Sequence, residues 1–175
     1  MTAVPENYCC TENHEELSVW PEHWPTITRQ IATHTDTALT AVRSETVPVF
    51  DEALAELNTL PYEQVTAVHA GMVRELLEEL HPEGLTGEDV QSVLENALRN
   101  GMRWLPSLQP DAVVVVLTGT LGVHDDEAPK VRPGDYVTAG LLVLAELLAA
   151  RKAAPGRYLR RAVAEIERTE TVEMP

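Results

Sequence analysis

Residues 136 to 150 read YVTAGLLVLAELLAA, the most apolar stretch of the 175-residue chain. Only Thr138, Gly140 and Glu146 interrupt it, so a helix here would be hydrophobic on almost every side. An acidic residue precedes the stretch and two basic residues follow it, which suits the two ends of a helix dipole. We therefore predict a central, buried helix over residues 135 to 152.

The same stretch must be compared with a membrane span. A spanning helix needs about 20 apolar residues, whereas this stretch has 15 residues between charged neighbours. We therefore expect it to be too short to cross a bilayer, and we expect no membrane contact.

Helical periodicity also appears on both sides of the central stretch. Apolar residues recur at spacings of three and four from Thr26 to about Ser44, from Phe50 to Leu60, from Pro61 to Leu80, from Val90 to Trp104 and from Leu159 to Ile166. The sequence Thr86-Gly-Glu-Asp89 is a variant of the capping box that marks a helix start. The pattern predicts an all-α, single-domain helical bundle of about six or seven helices.

Residues 111 to 122 are ambiguous between helix and strand. Their run from Val113 to Leu117 is rich in β-branched residues, which is typical of a buried strand. No other segment offers a sheet partner, however, and Pro110 followed by an acidic residue resembles a helix start. We therefore predict a helix.

The ends of the chain differ from this helical domain, which we place at residues 26 to 170. Residues 1 to 25 show no sustained periodicity, and a proline follows both Trp20 and Trp24. Because proline favours extended geometry in the residue before it, we predict an extended arm whose tryptophans dock on the helical body. The alternative is that the arm reaches a second subunit. Residues 171 to 175 are predicted to fray.

The two cysteines of the chain are adjacent, at Cys9 and Cys10. Normal disulfide geometry does not fit neighbouring residues, and structural zinc sites use spaced cysteine pairs. Free thiols are therefore favoured over a zinc site completed by His14 and His23. With no signal-peptide pattern at the start, we expect a cytoplasmic protein.

The net charge of -15 is spread unevenly along the chain. Residues 1 to 98 hold 18 acids and three bases, whereas residues 99 to 175 hold ten of each. An acidic surface repels nucleic acid, whose binding depends on clustered Lys and Arg, and it attracts a basic partner. The alternative is that the acidic residues only keep the protein soluble.

Three ionisable residues, His34, His69 and Glu146, fall within apolar helical patterns. If they converge in the core, burial favours neutral His and neutral Glu, and such a couple can transfer protons. They are our candidate catalytic residues. The competing interpretation is structural, with each side chain satisfied separately by its own neighbours.

The loop residues His124, Asp125 and Asp126 are candidate metal ligands, because imidazole and carboxylate groups are adjacent there. The alternative is a solvated acidic loop whose Asp side chains bond the local backbone.

A basic cluster surrounds the last helix break, and its candidate ligand-binding residues are Arg157, Arg160 and Arg161. Guanidinium groups suit a phosphate or carboxylate ligand, and they would also suit the acidic half of a second subunit. A solvated basic face is the simplest alternative.

No catalytic or cofactor motif in the sequence is specific, so the sequence does not identify a cofactor. Two hypotheses follow. The first is a non-catalytic, acidic helical interaction or regulatory module that self-associates or binds a protein partner with a basic surface. The second is a small enzyme or ligand-binding protein with an inter-helix pocket that uses His, Glu and Asp side chains, with or without a metal. We favour the first.

Overall fold

The structure is a computed structural model that describes residues 19 to 123 and 126 to 172. Within these ranges the chain forms seven helices and no strand, so the predicted all-α bundle is confirmed. The helices are α1 (Thr26–Ser44), α2 (Val47–Leu57), α3 (Tyr62–Leu80), α4 (Gly87–Trp104), α5 (Pro110–Thr120), α6 (Pro133–Arg151) and α7 (Gly156–Val172).

Helix α6 lies at the centre of the bundle, as predicted. It packs against α1, α3, α4 and α5, and the four side chains from Leu141 to Leu144 are at most 4% exposed. Four consecutive residues point in all directions around a helix. Their burial therefore means that α6 has neighbours on every side.

The expectation that this stretch is too short to span a membrane is wrong. That expectation counted only the 15 residues between charged neighbours, whereas helix α6 has 19 residues and is, among the described residues, the one helix that could cross a bilayer by length and composition. The expectation of no membrane contact stays a prediction. Half of its apolar window is buried inside the bundle. The core helix of a soluble protein meets the same criteria, so length alone does not separate the two.

The ambiguous segment is helical. In α5, Val113, Val116, Leu117 and Thr120 are buried, whereas Val114 is 39% exposed. Burial therefore follows the spacing of a helix rather than the alternation of a strand. The β-branched residues serve here as core packing for α6.

The predicted capping box starts α4. The Thr86 hydroxyl accepts a hydrogen bond from the Asp89 backbone N–H at 3.2 Å, and the Asp89 carboxylate accepts one from the Thr86 N–H at 2.8 Å. Two backbone donors that the helix leaves unpaired are satisfied in this way.

The segment before α1 packs on the helices. Trp20 and Trp24 are 6% and 5% exposed, and their rings stack with centroids 5.9 Å apart. The Trp20 indole donates a hydrogen bond to the Thr33 hydroxyl at 3.0 Å. Residues 1 to 18 of the predicted arm lie outside the described residues, and the predicted domain boundaries stay predictions.

Helices α3 and α7 lie against each other, and they approach closely at Gly71. A Cβ atom on Gly71 would lie 3.1 Å from the Cβ of Ala162, closer than such atoms normally approach. Glycine is thus the residue that lets α7 pack this tightly on α3.

Candidate functional site

A buried polar contact joins α1 to α3. The Thr35 hydroxyl and His69 Nε2 share a hydrogen bond of 3.0 Å, and the two residues are 0% and 4% exposed. Burial lowers the pKa of His69 to about 4, because the charged imidazole loses its hydration. At neutral pH this histidine is therefore uncharged.

A small cavity lies beside the His69 ring. Its volume is about 10 Å³, and Thr66, Thr120 and Tyr136 supply its polar lining. A cavity needs roughly 10–15 Å³ to hold one water molecule. The space beside the imidazole therefore suits about one water and is far smaller than a substrate.

The other two candidate catalytic residues have different surroundings. His34 is half-buried on α1, while Glu146 on α6 accepts a hydrogen bond of 2.8 Å from the Asn100 amide of α4. No hydrogen bond in the described part of the chain joins any two of His34, His69 and Glu146. The structure therefore provides no proton-transfer couple among them.

The basic cluster meets the acidic half of the same chain. On α3, the Glu79 carboxylate accepts hydrogen bonds from Arg157 at 2.7 Å and from Arg151 at 3.1 Å. Arg161 pairs with Glu75 and, at 3.3 Å, with Glu79. Three guanidinium groups from α6 and α7 thus surround two carboxylates of α3.

Tyr158 of α7 also belongs to this network. Its side chain is buried, and its hydroxyl donates to Glu79 at 2.8 Å while accepting from Arg157 at 2.7 Å. The Tyr158 hydrogen bond, followed by the guanidinium groups of Arg151 and Arg157, holds the pKa of the Glu79 carboxyl below its usual value. A phosphate or carboxylate ligand here would have to displace an ionised glutamate.

Arg160 has a separate role from its neighbours in the basic cluster. Its guanidinium carbon lies 5.3 Å from the centroid of a Trp20 ring, a distance at which a cation is attracted to an aromatic face. It also donates a hydrogen bond of 3.5 Å to the backbone oxygen of Val19. Arg160 therefore fastens the segment before α1 to α7.

The structure describes only one of the three candidate metal ligands. His124 and Asp125 lie outside the described residues, and Asp126 is exposed. In residues 19 to 123 and 126 to 172, no group of three His, Cys, Asp or Glu side chains is placed to share a metal ion. The described residues therefore offer no metal centre.

The largest of the described cavities is a groove, which we name the isoleucine groove. It has a volume of about 480 Å³ and lies between the first turns of α1 and α3 and the second half of α7. Its lining residues are Pro25, Ile27, Thr28, Ile31, Glu63, Gln64, Ala67, Val68, Val163, Ile166 and Glu167. Apolar side chains predominate, with carboxylates on α3 and α7.

The chain contains three isoleucines, and all three line this groove. Ile31 is 1% exposed and belongs to the floor, together with Val68 and Val163, whereas Ile27 is 37% exposed. The apolar spacing from Thr26 to about Ser44 predicted helix α1 but did not reveal the groove. The one available signal was the confinement of a rare residue type to α1 and α7.

Two other cavities are less suited to binding an apolar group. One of about 390 Å³ at the start of α6 contains Arg132 and Asp135, which bond each other at 2.6 Å, and the exposed Asp51. Another of about 380 Å³, beside Leu121, contains the ionisable residues Arg74, Glu78 and His81.

Comparison of the chain with protein-family models, curated proteins and solved structures gave no match. The geometry and charge of its own side chains are therefore the basis for its proposed function.

Proposed function

We propose that this chain is a non-catalytic interaction module that binds a basic protein partner. The observation that supports the proposal most directly is the number of exposed carboxylates that form no ion pair within the chain. Glu75 and Glu79 pair with Arg151, Arg157 and Arg161. A larger set of carboxylates remains exposed to solvent. In the described ranges, the exposed carboxylates of the first half that have no ion pair are Glu22, Asp51, Glu52, Glu56, Glu63, Glu78, Glu83, Glu88 and Glu95.

Helix α2 illustrates this surface best. It exposes Asp51, Glu52 and Glu56 and contains no lysine or arginine. Unpaired charges of one sign create a long-range field that accelerates encounter with an oppositely charged protein. The acidic surface therefore favours a partner whose contact region is rich in Lys and Arg.

The catalytic alternative lacks a comparable observation. His69 is neutral and bonded to Thr35, and Glu146 is bonded to Asn100. The cavity beside His69 suits about one water. An inter-helix active site built from these side chains is thus a weaker explanation of the same geometry.

A charge-balanced comparison tests the proposal. Fluorescence anisotropy measures binding of a labelled 20-residue polylysine peptide to the wild-type chain and to two double variants. Glu52→Gln/Glu56→Gln removes two charges from α2, and Asp111→Asn/Asp126→Asn removes two exposed charges from the other half. We expect the α2 variant to bind about three- to tenfold more weakly and the second variant to change much less.

The salt dependence provides the second measurement. Screening shortens the reach of surface charges to about 10 Å at 0.1 M salt and about 3 Å at 1 M, so binding should weaken steeply as salt is added. Absence of binding at low salt, or equal losses in the two variants, would refute the proposal. Sedimentation of the chain alone tests self-association, which is a separate proposal.

A further inference from the structure

The isoleucine groove leaves apolar surface uncovered at one side of the bundle. Helix α7 packs on α3 and touches α1. The groove separates the second half of α7 from the first turns of α1 and α3. The exposed methyl groups of Ile27 and the exposed Ala67 lie within it. Apolar area left in water costs about 25 cal/mol per Å², so a partner that covers this area gains free energy.

The borders of the groove have one sign of charge. Glu63 of α3 and Glu167 of α7 line it, and none of its lining residues is a lysine or arginine. Glu63 is exposed and forms no ion pair. An occupant should therefore present apolar side chains to the floor and positive charges to the borders.

Two occupants from the chain itself fit this pattern poorly. Residues 1 to 18 contain four glutamates and no lysine or arginine, so they would bring negative charge to an acidic border. A second copy would bring the same carboxylates and a net charge of -15. Like charges placed close together oppose association.

We propose that the isoleucine groove binds the apolar face of an amphipathic helix whose flanking residues are Lys and Arg. This inference rests on the proposed function, because it identifies the surface by which the acidic module would hold its basic partner. Helices bind grooves through apolar residues at spacings of three, four and seven. The volume of about 480 Å³ lies within the usual range of roughly 300–1,000 Å³ for ligand sites.

The three isoleucines make a direct experiment possible. Labelling of isoleucine δ1 methyl groups with ¹³C gives three NMR signals from the whole chain, all of them from the groove. The probe is an 18-residue peptide of Leu and Lys arranged as an amphipathic helix. A peptide of the same composition in scrambled order keeps the charge but loses the apolar face. Fluorescence anisotropy measures the affinity of each peptide for the chain.

We expect the amphipathic peptide to shift the isoleucine signals with saturation and to bind at least about tenfold more tightly than the scrambled one. Ala67→Phe should fill the groove and weaken binding of the amphipathic peptide by a similar factor. Ala150→Phe is the matched control, because Ala150 is also exposed, lies near the end of α6 rather than on the acidic helix α2, and lines none of the described pockets. Its binding should equal that of the wild type, and thermal melting verifies that both variants fold.

The outcomes separate this inference from the proposed function. If both peptides bind equally and the isoleucine signals stay in place, the groove is not the site, although the acidic module remains supported. If neither peptide binds, the proposed function fails as well. Isoleucine signals that shift on dilution of the chain alone, or on deletion of residues 1 to 18, would overturn the inference in favour of a second copy or the chain's own segment.

Discussion

The two halves of helix α3 meet α7 in different ways. At the C-terminal half, Gly71 allows the backbones to approach closely, and Glu75 and Glu79 pair with arginines. At the N-terminal half, Ala67 and Val68 instead line the isoleucine groove. The same pair of helices is thus closed at one end and open at the other.

This difference shows how one helix can serve both stability and binding. The closed half has a small residue at the point of contact and opposite charges around it, so both packing and ion pairing hold α7 in place. The open half has the opposite arrangement, with apolar side chains facing a space that no described residue fills. Substitutions in the closed half should therefore reduce stability, whereas a substitution at an exposed position of the open half, such as Ala67, should change binding with little effect on stability.

The largest effect on stability is expected at Gly71, where α3 and α7 approach closely. Gly71→Leu places atoms where the Ala162 side chain already lies, and overpacking of this kind typically costs 1–3 kcal/mol. We expect a loss of about 3 kcal/mol, measured by urea unfolding. The matched control is Gly87→Leu, since a Cβ at Gly87 meets no atom within 4 Å. Equal stability of the two variants would show that the contact is not tight.

Acid should weaken the bond that ties α1 to α3. The pKa of His69 is about 4 in the folded chain and about 6.5 when unfolded. The unfolded state therefore binds a proton first, and stability falls as pH decreases from about 6.5 towards 4. Between pH 7 and pH 5, where most carboxylates stay ionised, we expect a loss of about 2 kcal/mol.

Urea unfolding at the two pH values measures this loss. His69→Gln should remove most of the pH dependence, whatever its effect on stability at pH 7. His34→Gln is the control, because His34 is half-buried and has no part in the Thr35 contact. If the pH dependence of the His69 variant matched that of the wild type, another group would be responsible.

The ion-pair network should have a smaller effect. Glu79→Gln keeps the shape of the side chain but removes the charge that faces Arg151 and Arg157. Because the arginines are about half exposed, we expect a loss of about 1 kcal/mol that shrinks at high salt. Glu78→Gln removes a neighbouring exposed charge with no ion pair. A similar loss in both variants would argue against the network.

The smallest effect on stability is expected in the open half. Ala67→Phe adds a large side chain to space that the folded chain leaves vacant, so its unfolding free energy should stay within about 0.5 kcal/mol of the wild type. A large destabilisation, measured by the same urea titration, would mean that the groove is already filled or tightly packed. Gly71→Leu and Ala67→Phe together therefore measure the contrast between the two halves.

The fold could be predicted from sequence because it follows from local patterns. The apolar stretch of α6, the capping box at Thr86 and the break at Pro61 each act within a few residues. The choice of helix for Val113 to Leu117 was correct because a strand needs a partner strand, and the sequence provided none. The predicted range of α6, residues 135 to 152, differs from the observed Pro133–Arg151 by two residues at its start and one at its end, because proline is tolerated in the first turn of a helix.

The sites could not be predicted in the same way, because they depend on contacts between distant residues. Arg161 has a glutamate four positions later, but it pairs instead with Glu75 on another helix. Arg157 reaches Glu79 in the same manner. Periodicity identifies which face of a helix points inward, but it does not show whether neighbouring helices close over that face. The isoleucine groove lies where the neighbouring helices do not close over such a face, so periodicity did not predict it.

The apolar wall of the groove is made mostly of β-branched residues, namely Ile27, Ile31, Val68, Val163 and Ile166. In a helix, Val and Ile occupy one side-chain rotamer about 90% of the time. Such a surface has little conformational entropy left to lose when a ligand binds. Surfaces rich in flexible methionine adapt to many partners, whereas this one is preorganised. It should select ligands by shape, so that moving one methyl group of a bound side chain has a measurable effect on affinity.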